Sequence, residues 1–208
     1  MKRIALPLAA AAALTLMVTP AARAGVPSVA NSTVDPCLRV CPAGDMTFHV
    51  VVRDGTFNPV PGSSVAIDLC ACPGVVLCPL NGSENYIVSS GCMVVQITNA
   101  AGVADYQIRA GGTCSGGPIP VYADGQLLAT RTAVSSPDQN GDVIVNATDQ
   151  AILAGKMSGP YDPTGDFNCS GSVEPGDANI LASHLGHSCA VAVPTRPATW
   201  GRIKTIYR

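Results

Sequence analysis

The sequence predicts a mixed, modular fold: a β-sandwich followed by a small α-helical unit built around two metal loops. Three observations predict it. Six or so short stretches rich in β-branched residues, separated by turn clusters, fill the span from Met46 to Val134. After Ser135-Ser136-Pro137 the composition shifts to Asp, Asn and helix-compatible residues. Beyond that boundary a twelve-residue acidic loop occurs twice, as DQNGDVIVNATD from Asp138 to Asp149 and DFNCSGSVEPGD from Asp166 to Asp177, an offset of 28 residues.

In chain order, residues 1–24 read as a secretory signal. Lys2 and Arg3 give the positive start, an apolar stretch runs from Ile4 to about Val18, and Ala22-Arg23-Ala24 fits the small-x-small cleavage rule. The alternative is an uncleaved anchor. No other stretch approaches the roughly 20 apolar residues that span a bilayer, so the expectation is a secreted or cell-surface chain without a membrane span. Net charge is −2, with 12% charged residues and no basic stripe, which argues against nucleic acid and anionic membranes as partners.

Residues 25–45 read as a Pro-, Ser-, Ala- and Gly-rich lead-in. MTFHVVVRD, SVAIDL and CMVVQIT follow as strands, with FNPVPGSS as a turn cluster and a cysteine-rich loop before the third. VADYQIRAG alternates cleanly, with Val103, Asp105, Gln107 and Arg109 opposite Ala104, Tyr106, Ile108 and Ala110. IPVYA and QLLATRTAV flank the tight turn Asp124-Gly125 as a hairpin. Aromatics are only 4% of the chain, so the core must rest on Val, Ile, Leu and Ala.

Nine cysteines in an exported chain read first as disulfides. Seven lie between Cys37 and Cys114, an odd number that leaves one thiol free or paired outside that region. Cys169 and Cys189 are the only two in their segment, and their pairing is expected. Zinc is the rival reading for Cys37-x3-Cys41 and for Cys70-x-Cys72-x5-Cys78.

The motifs VVVRDGTFNPVPGSSVAI, TNAAGVADYQIRAG and VYADGQLLATR, in that order, resemble bacterial immunoglobulin-like domains of the invasin type over roughly residues 46 to 133. The Cys70–Cys92 stretch departs from the simple pattern as an insertion. The resemblance implies a spacer or adhesive module within residues 25–134, without catalysis.

The two loops carry oxygen donors at the spacing a hard cation such as Ca²⁺ requires when one short segment wraps around it. In loop 1, Asp138, Asn140 and Asp142 stand at positions 1, 3 and 5, Ile144 offers its carbonyl at 7, and Asn146 and Asp149 stand at 9 and 12. In loop 2 the same places hold Asp166, Asn168, Ser170, Ser172 (carbonyl), Glu174 and Asp177. Each loop has three carboxylates, which would repel one another without a cation. The alternative for each is an Asx-rich turn with no metal. Asn146 with Asp149 forms a capping box for a following helix, and Pro175 after Glu174 suits a first helical position. Ile152, Leu153 and Met157 form one apolar face, and Ile180, Leu181 and Leu185 its equivalent.

This tandem, over about residues 135–189, resembles the dockerin domain, whose repeats follow D-x-N-x-D-G-x-[IV]-N-x-x-D with a short helix. Asp at position 12 favours that family over calmodulin-type EF-hands. The resemblance implies Ca²⁺-dependent folding and docking to a cohesin module in a cell-surface or polysaccharide-degrading assembly. Departures are specific. Val143 stands where the family places glycine at position 6, Ser170 is neutral at position 5, and Ala147-Thr148 and Pro175-Gly176 occupy the usual Ser-Thr recognition positions. A β-branched residue resists positive φ, so loop 1 is expected to bind more weakly or with altered geometry.

Residues 190–208, with Trp200, Tyr207, Arg196, Arg202, Lys204 and Arg208, read as a tail that packs one aromatic or serves as a sorting or docking segment. His184 and His187, three apart at the end of the second helix, read as solvent-facing, with a metal or catalytic role as the alternative. No nucleophile elbow, phosphate loop or dinucleotide fingerprint occurs. The expectation is a non-catalytic, calcium-binding interaction protein with a cohesin-like partner. A structural or adhesive surface protein is the alternative, and a small extracellular enzyme stands behind both. Carbohydrate contact has no nameable site.

Overall fold

The computed structural model describes residues 25–189. The expected signal segment 1–24 and the tail 190–208 lie outside the described residues. Two short strands, β1 (Thr33–Val34) and β2 (Leu38–Arg39), lie in the stretch expected to be a featureless lead-in. The expected strands appear as β3 (Phe48–Val51), β4 (Ser64–Asp68), β7 (Met93–Ile97), β8 (Val103–Tyr106), β10 (Cys114–Ala123) and β11 (Gln126–Ser135). The cysteine-rich insertion contributes β5 (Val76–Leu77) and β6 (Ile87–Ser89), and β9 (Ala110–Gly111) follows β8 after a break.

A curled six-stranded sheet runs in the order β2-β11-β10-β4-β7-β6, beside a three-stranded sheet β1-β3-β8 and a two-stranded pair β5-β9. Pairing is antiparallel except for β2, which runs parallel to β11 with Val134 opposite Leu38. The alternation read from sequence sets the faces. Phe48 and Val50 point inward and His49 outward; Val65 and Ile67 are buried on β4. From Ala104 through Tyr106, Ile108 and Ala110 every second residue is buried. The six-stranded and three-stranded sheets share one core, in which Phe48, Val50, Ala104 and Tyr106 meet Val65, Ile67, Val94, Ile119 and Val121. The Tyr106 hydroxyl donates to the Val65 carbonyl at 2.7 Å and accepts from the Gln96 N–H at 3.2 Å, satisfying a buried polar atom between the two sheets. Asp124 and Gly125 both hold positive φ, 48° and 81°, the conformation a two-residue hairpin turn of this hand requires.

The expected architecture, an immunoglobulin-like sandwich followed by a separate α-helical unit, is overturned. The described chain is mostly β around a curled sheet, and its two α-helices do not form a helical domain. They are α1 (Ala147–Met157) and α2 (Pro175–Ser183), with a 3-10 turn at Pro163–Gly165 between them. The physical reason is the size of their apolar faces. Each helix fully buries a single leucine, Leu153 or Leu181, and Leu185, expected on the second face, lies beyond the helix and is exposed. Helices this short need outside packing. They obtain it from a cluster that joins Val145, Leu153, Phe167 and Leu181 to Cys41 and Met46 of the N-terminal stretch.

The disulfides enforce the same union. Cys169 and Cys189 do not pair with each other. Cys169 joins Cys37 and Cys189 joins Cys78, across 132 and 111 residues. Neighbourhood in sequence misled here: Cys169 faces the lead-in, and Cys189 lies under the insertion, where Arg109 donates to its carbonyl at 3.4 Å. Cys70–Cys92 and Cys72–Cys114 staple the insertion to the sheet, and Cys41 remains a buried free thiol. The zinc reading of Cys70, Cys72 and Cys78 is thereby displaced. Four disulfides are consistent with a secreted protein, and among the described residues no helix is long and apolar enough to cross a membrane.

Candidate functional site

The two acidic loops fold into near-copies of each other. In loop 1 the Asp138 carboxylate accepts the N–H groups of Gly141 at 2.9 Å and Val143 at 2.8 Å. In loop 2 the Asp166 carboxylate accepts those of Ser170 at 3.0 Å and Gly171 at 2.8 Å. The closing aspartates match more tightly. Asp149 holds the N–H groups of Gln139 (2.7 Å), Asn140 (3.2 Å) and Asn146 (2.8 Å). Asp177, 28 residues on, holds those of Phe167 (2.7 Å), Asn168 (3.1 Å) and Glu174 (2.9 Å). Each closing carboxylate thus ties the start of its loop to the start of its helix. The Asn146 side chain completes the first cap by accepting the Thr148 N–H at 2.7 Å.

Both loops make the same backbone excursion, with the glycine moved. Positions 4 and 6 carry positive φ in each: Gly141 (77°) and Val143 (62°) in loop 1, Cys169 (63°) and Gly171 (86°) in loop 2. One glycine serves each loop, and one side-chain-bearing residue bears the strain. Val143 therefore holds at position 6 the same left-handed turn that Gly171 holds in loop 2. Cys169 holds its own strained place while bonded to Cys37.

Burial concentrates charge. Asp138, Asp149 and Asp177 are fully buried and Asp166 nearly so. None of the ion pairs among the described residues involves them. Burial pushes the Asp138 carboxyl above its ordinary value; the Gly141 and Val143 N–H groups pull it back, and Asp149 and Asp142 push it up again. Asp142, on the rim, is held below the ordinary value, chiefly by the Asn140 amide. The rim donors are in place: Asn140 and Asp142 are 2.9 Å apart, the Asn146 amide lies 3.1 Å from the Ile144 carbonyl, and the Ser170 hydroxyl lies 3.2 Å from the Ser172 carbonyl. Glu174 receives the Asn168 amide at 3.2 Å. The loops thus gather hard oxygens around buried carboxylates that no ion pair among the described residues neutralises, the kind of ligand a hard cation takes.

Two features of the site were not read from sequence. Loop 1 is roofed by strand β9 and its successor: the Gly112 N–H donates to the Asp138 carbonyl at 3.0 Å, and Gly111 lies directly against the Asp138 side chain. The Gly111-Gly112 pair at a strand end was the available signal, since glycine there marks close backbone approach. The second is cross-bracing. The Gln139 amide donates to the carbonyls of Ser136 (2.5 Å) and Thr164 (3.0 Å), linking loop 1 to the turn before loop 2. The Tyr161 hydroxyl donates to Asp166 at 3.0 Å. Residues 186–189 pair back on loop 1, with Val145 N–H to His187 carbonyl at 2.9 Å and Cys189 N–H to Val143 carbonyl at 3.1 Å. At the helix starts, Ala147, Thr148 and Pro175 are exposed and Gly176 is half-buried.

No protein-family model matches the chain, and the curated proteins include none similar to it in sequence.

Proposed function

We propose that the chain is a secreted, non-catalytic calcium-binding interaction protein, whose dockerin-like loop pair docks to a cohesin-like partner in a surface or polysaccharide-degrading assembly. The observation that carries this reading is the repeated bonding of the closing aspartates. Asp149 and Asp177 each gather three N–H groups at equivalent positions, so both loops are held around buried carboxylates that call for a divalent cation. Ca²⁺ would be held by Asp138, Asn140, Asp142, the Ile144 carbonyl, Asn146 and Asp149, and by Asp166, Asn168, Ser170, the Ser172 carbonyl, Glu174 and Asp177.

A second reading is favoured by the disulfides Cys37–Cys169 and Cys78–Cys189: the calcium loops serve to stabilise a structural or adhesive surface protein and bind no partner. One experiment separates these. Calorimetric Ca²⁺ titration of the oxidised full chain is expected to give two ions, and Asp138→Ala with Asp166→Ala to abolish both. Absence of binding by the folded chain refutes the metal assignment. With two ions bound, capture by a cohesin module that is reversed by chelator supports docking, and failure to bind supports the stabilising role.

A further inference from the structure

Eight of nine cysteines are consumed by disulfides, and the ninth is not isolated. The sulfur, nitrogen and oxygen donor atoms of Cys41, Asp45, His184 and His187 all lie within 4.8 Å of one another. We propose that these four side chains form a site for a divalent transition metal of the Zn²⁺ class, separate from the two oxygen-lined loops.

Three of the donor–donor distances are those of a coordination sphere. Bonds of about 2.0–2.3 Å around a tetrahedral metal give ligand–ligand edges of about 3.3–3.8 Å. His187 Nδ1 lies 3.3 Å from Asp45 Oδ2, His184 Nε2 lies 3.5 Å from the same oxygen, and Cys41 Sγ lies 3.7 Å from His187 Nδ1. A charge-assisted His–Asp hydrogen bond is shorter, as the same molecule shows at His49–Asp105, 2.6 Å. The backbone builds the cluster from two turns. The Gly44 N–H closes a turn on the Cys41 carbonyl at 2.9 Å, carrying Asp45 back over the thiol. The His187 N–H closes another on the His184 carbonyl at 3.0 Å, placing the two imidazoles edge to face with centroids 5.1 Å apart.

The outer shell is also present. His184 Nδ1 lies 2.7 Å from the Ile180 carbonyl, to which it donates as an N–H, and in the neutral ring that tautomer turns the Nε2 lone pair towards Asp45 and the cluster. His187 is fixed through its carbonyl, which accepts the Val145 N–H. The thiol is fully buried, whereas the side chains of Asp45 and His187 are 44% and 31% exposed, so a metal reaches the sulfur across their rim. The donor set, one sulfur, two imidazole nitrogens and one carboxylate oxygen, suits Zn²⁺ and its neighbours, unlike the all-oxygen loops. On binding, the S–H bond breaks, the sulfur–metal bond forms and the proton leaves to solvent.

The test is Co²⁺ titration of the oxidised full chain in excess Ca²⁺, which occupies hard oxygen sites, followed by optical absorption and back-titration with Zn²⁺. One Co²⁺ per chain with thiolate-to-metal charge-transfer absorption, bleached by Zn²⁺, is expected. Cys41→Ser should remove the charge-transfer band. His187→Ala, a half-exposed position, should weaken Co²⁺ by more than the roughly 10–100-fold carried by outer-shell partners. A folded wild-type chain with all four disulfides and no charge-transfer band overturns the proposal, as does a band that survives in Cys41→Ser.

Discussion

Gly111→Ala tests how the β-region governs the first loop. A Cβ at Gly111 would stand 3.0 Å from Asp138 Cγ, 3.1 Å from the Val143 Cα, and in frank collision with Asp138 Oδ2. The Val143 backbone cannot yield without disturbing a left-handed residue, so the carboxylate must turn. Turning it forfeits the Val143 N–H bond of 2.8 Å inside a fully buried site. Overpacking costs about 1–3 kcal/mol, and a hydrogen bond to a charged acceptor about 1.5–3 kcal/mol. The expected loss is therefore about 3–5 kcal/mol, a large part of the roughly 5–15 kcal/mol that holds a typical domain. Urea unfolding of the oxidised chain measures it, and Ca²⁺ calorimetry should show loop 1 lost and loop 2 retained. Gly155→Ala is the control: it sits within α1 with nothing inside 4 Å of its Cβ, and should stabilise by about 0.5–1 kcal/mol. A Gly111→Ala cost below about 1 kcal/mol, with both calcium ions still bound, would refute the roofing argument.

Two other outcomes are expected. Val143→Gly relieves left-handed strain of about 1–2 kcal/mol but frees the unfolded chain by about 0.4–1 kcal/mol, so urea unfolding should show a net gain of at most about 1.6 kcal/mol, and calorimetry a tighter first site. Burial alone would raise the Glu84 carboxyl; the Arg109 guanidinium at 2.7 Å and the N–H groups of Asn81 and Gly82 outweigh it and hold the group down at about 2, against an ordinary value of 4.5. A carboxyl depressed on folding stabilises above its unfolded value, so stability should be lost as pH falls from about 4.5 towards 2, and acid titration of Arg109→Met should show a shallower slope there.

Much of this was legible in the chain. Alternation from Val103 to Ala110 named the buried face, Asp124-Gly125 named the hairpin, and the loop repeat paired Asp149 with Asp177, which hold equivalent N–H groups. Each of those is a local pattern with a fixed period. The failures were all non-local. Leu153 and Leu181 read as a self-sufficient helix pair because sequence does not show that Cys41 and Met46 complete their core. Cys169 and Cys189 read as partners because separation along the chain carries no information about direction in space. Arg109 falls on the polar side of its alternation, yet is buried, because Glu84 from the insertion reaches it.

The long-range disulfides also set an order of events. Cys37 pairs 132 residues ahead and Cys78 111 residues ahead. At about 5–20 residues per second of synthesis, an early thiol waits on the order of 5–30 s for its mate to be made. During that interval Cys37 stands four residues from Cys41, the one cysteine left unpaired at the end. An oxidant acting too soon would join neighbours, so correct maturation depends on late closure or on an isomerase that undoes the early bond.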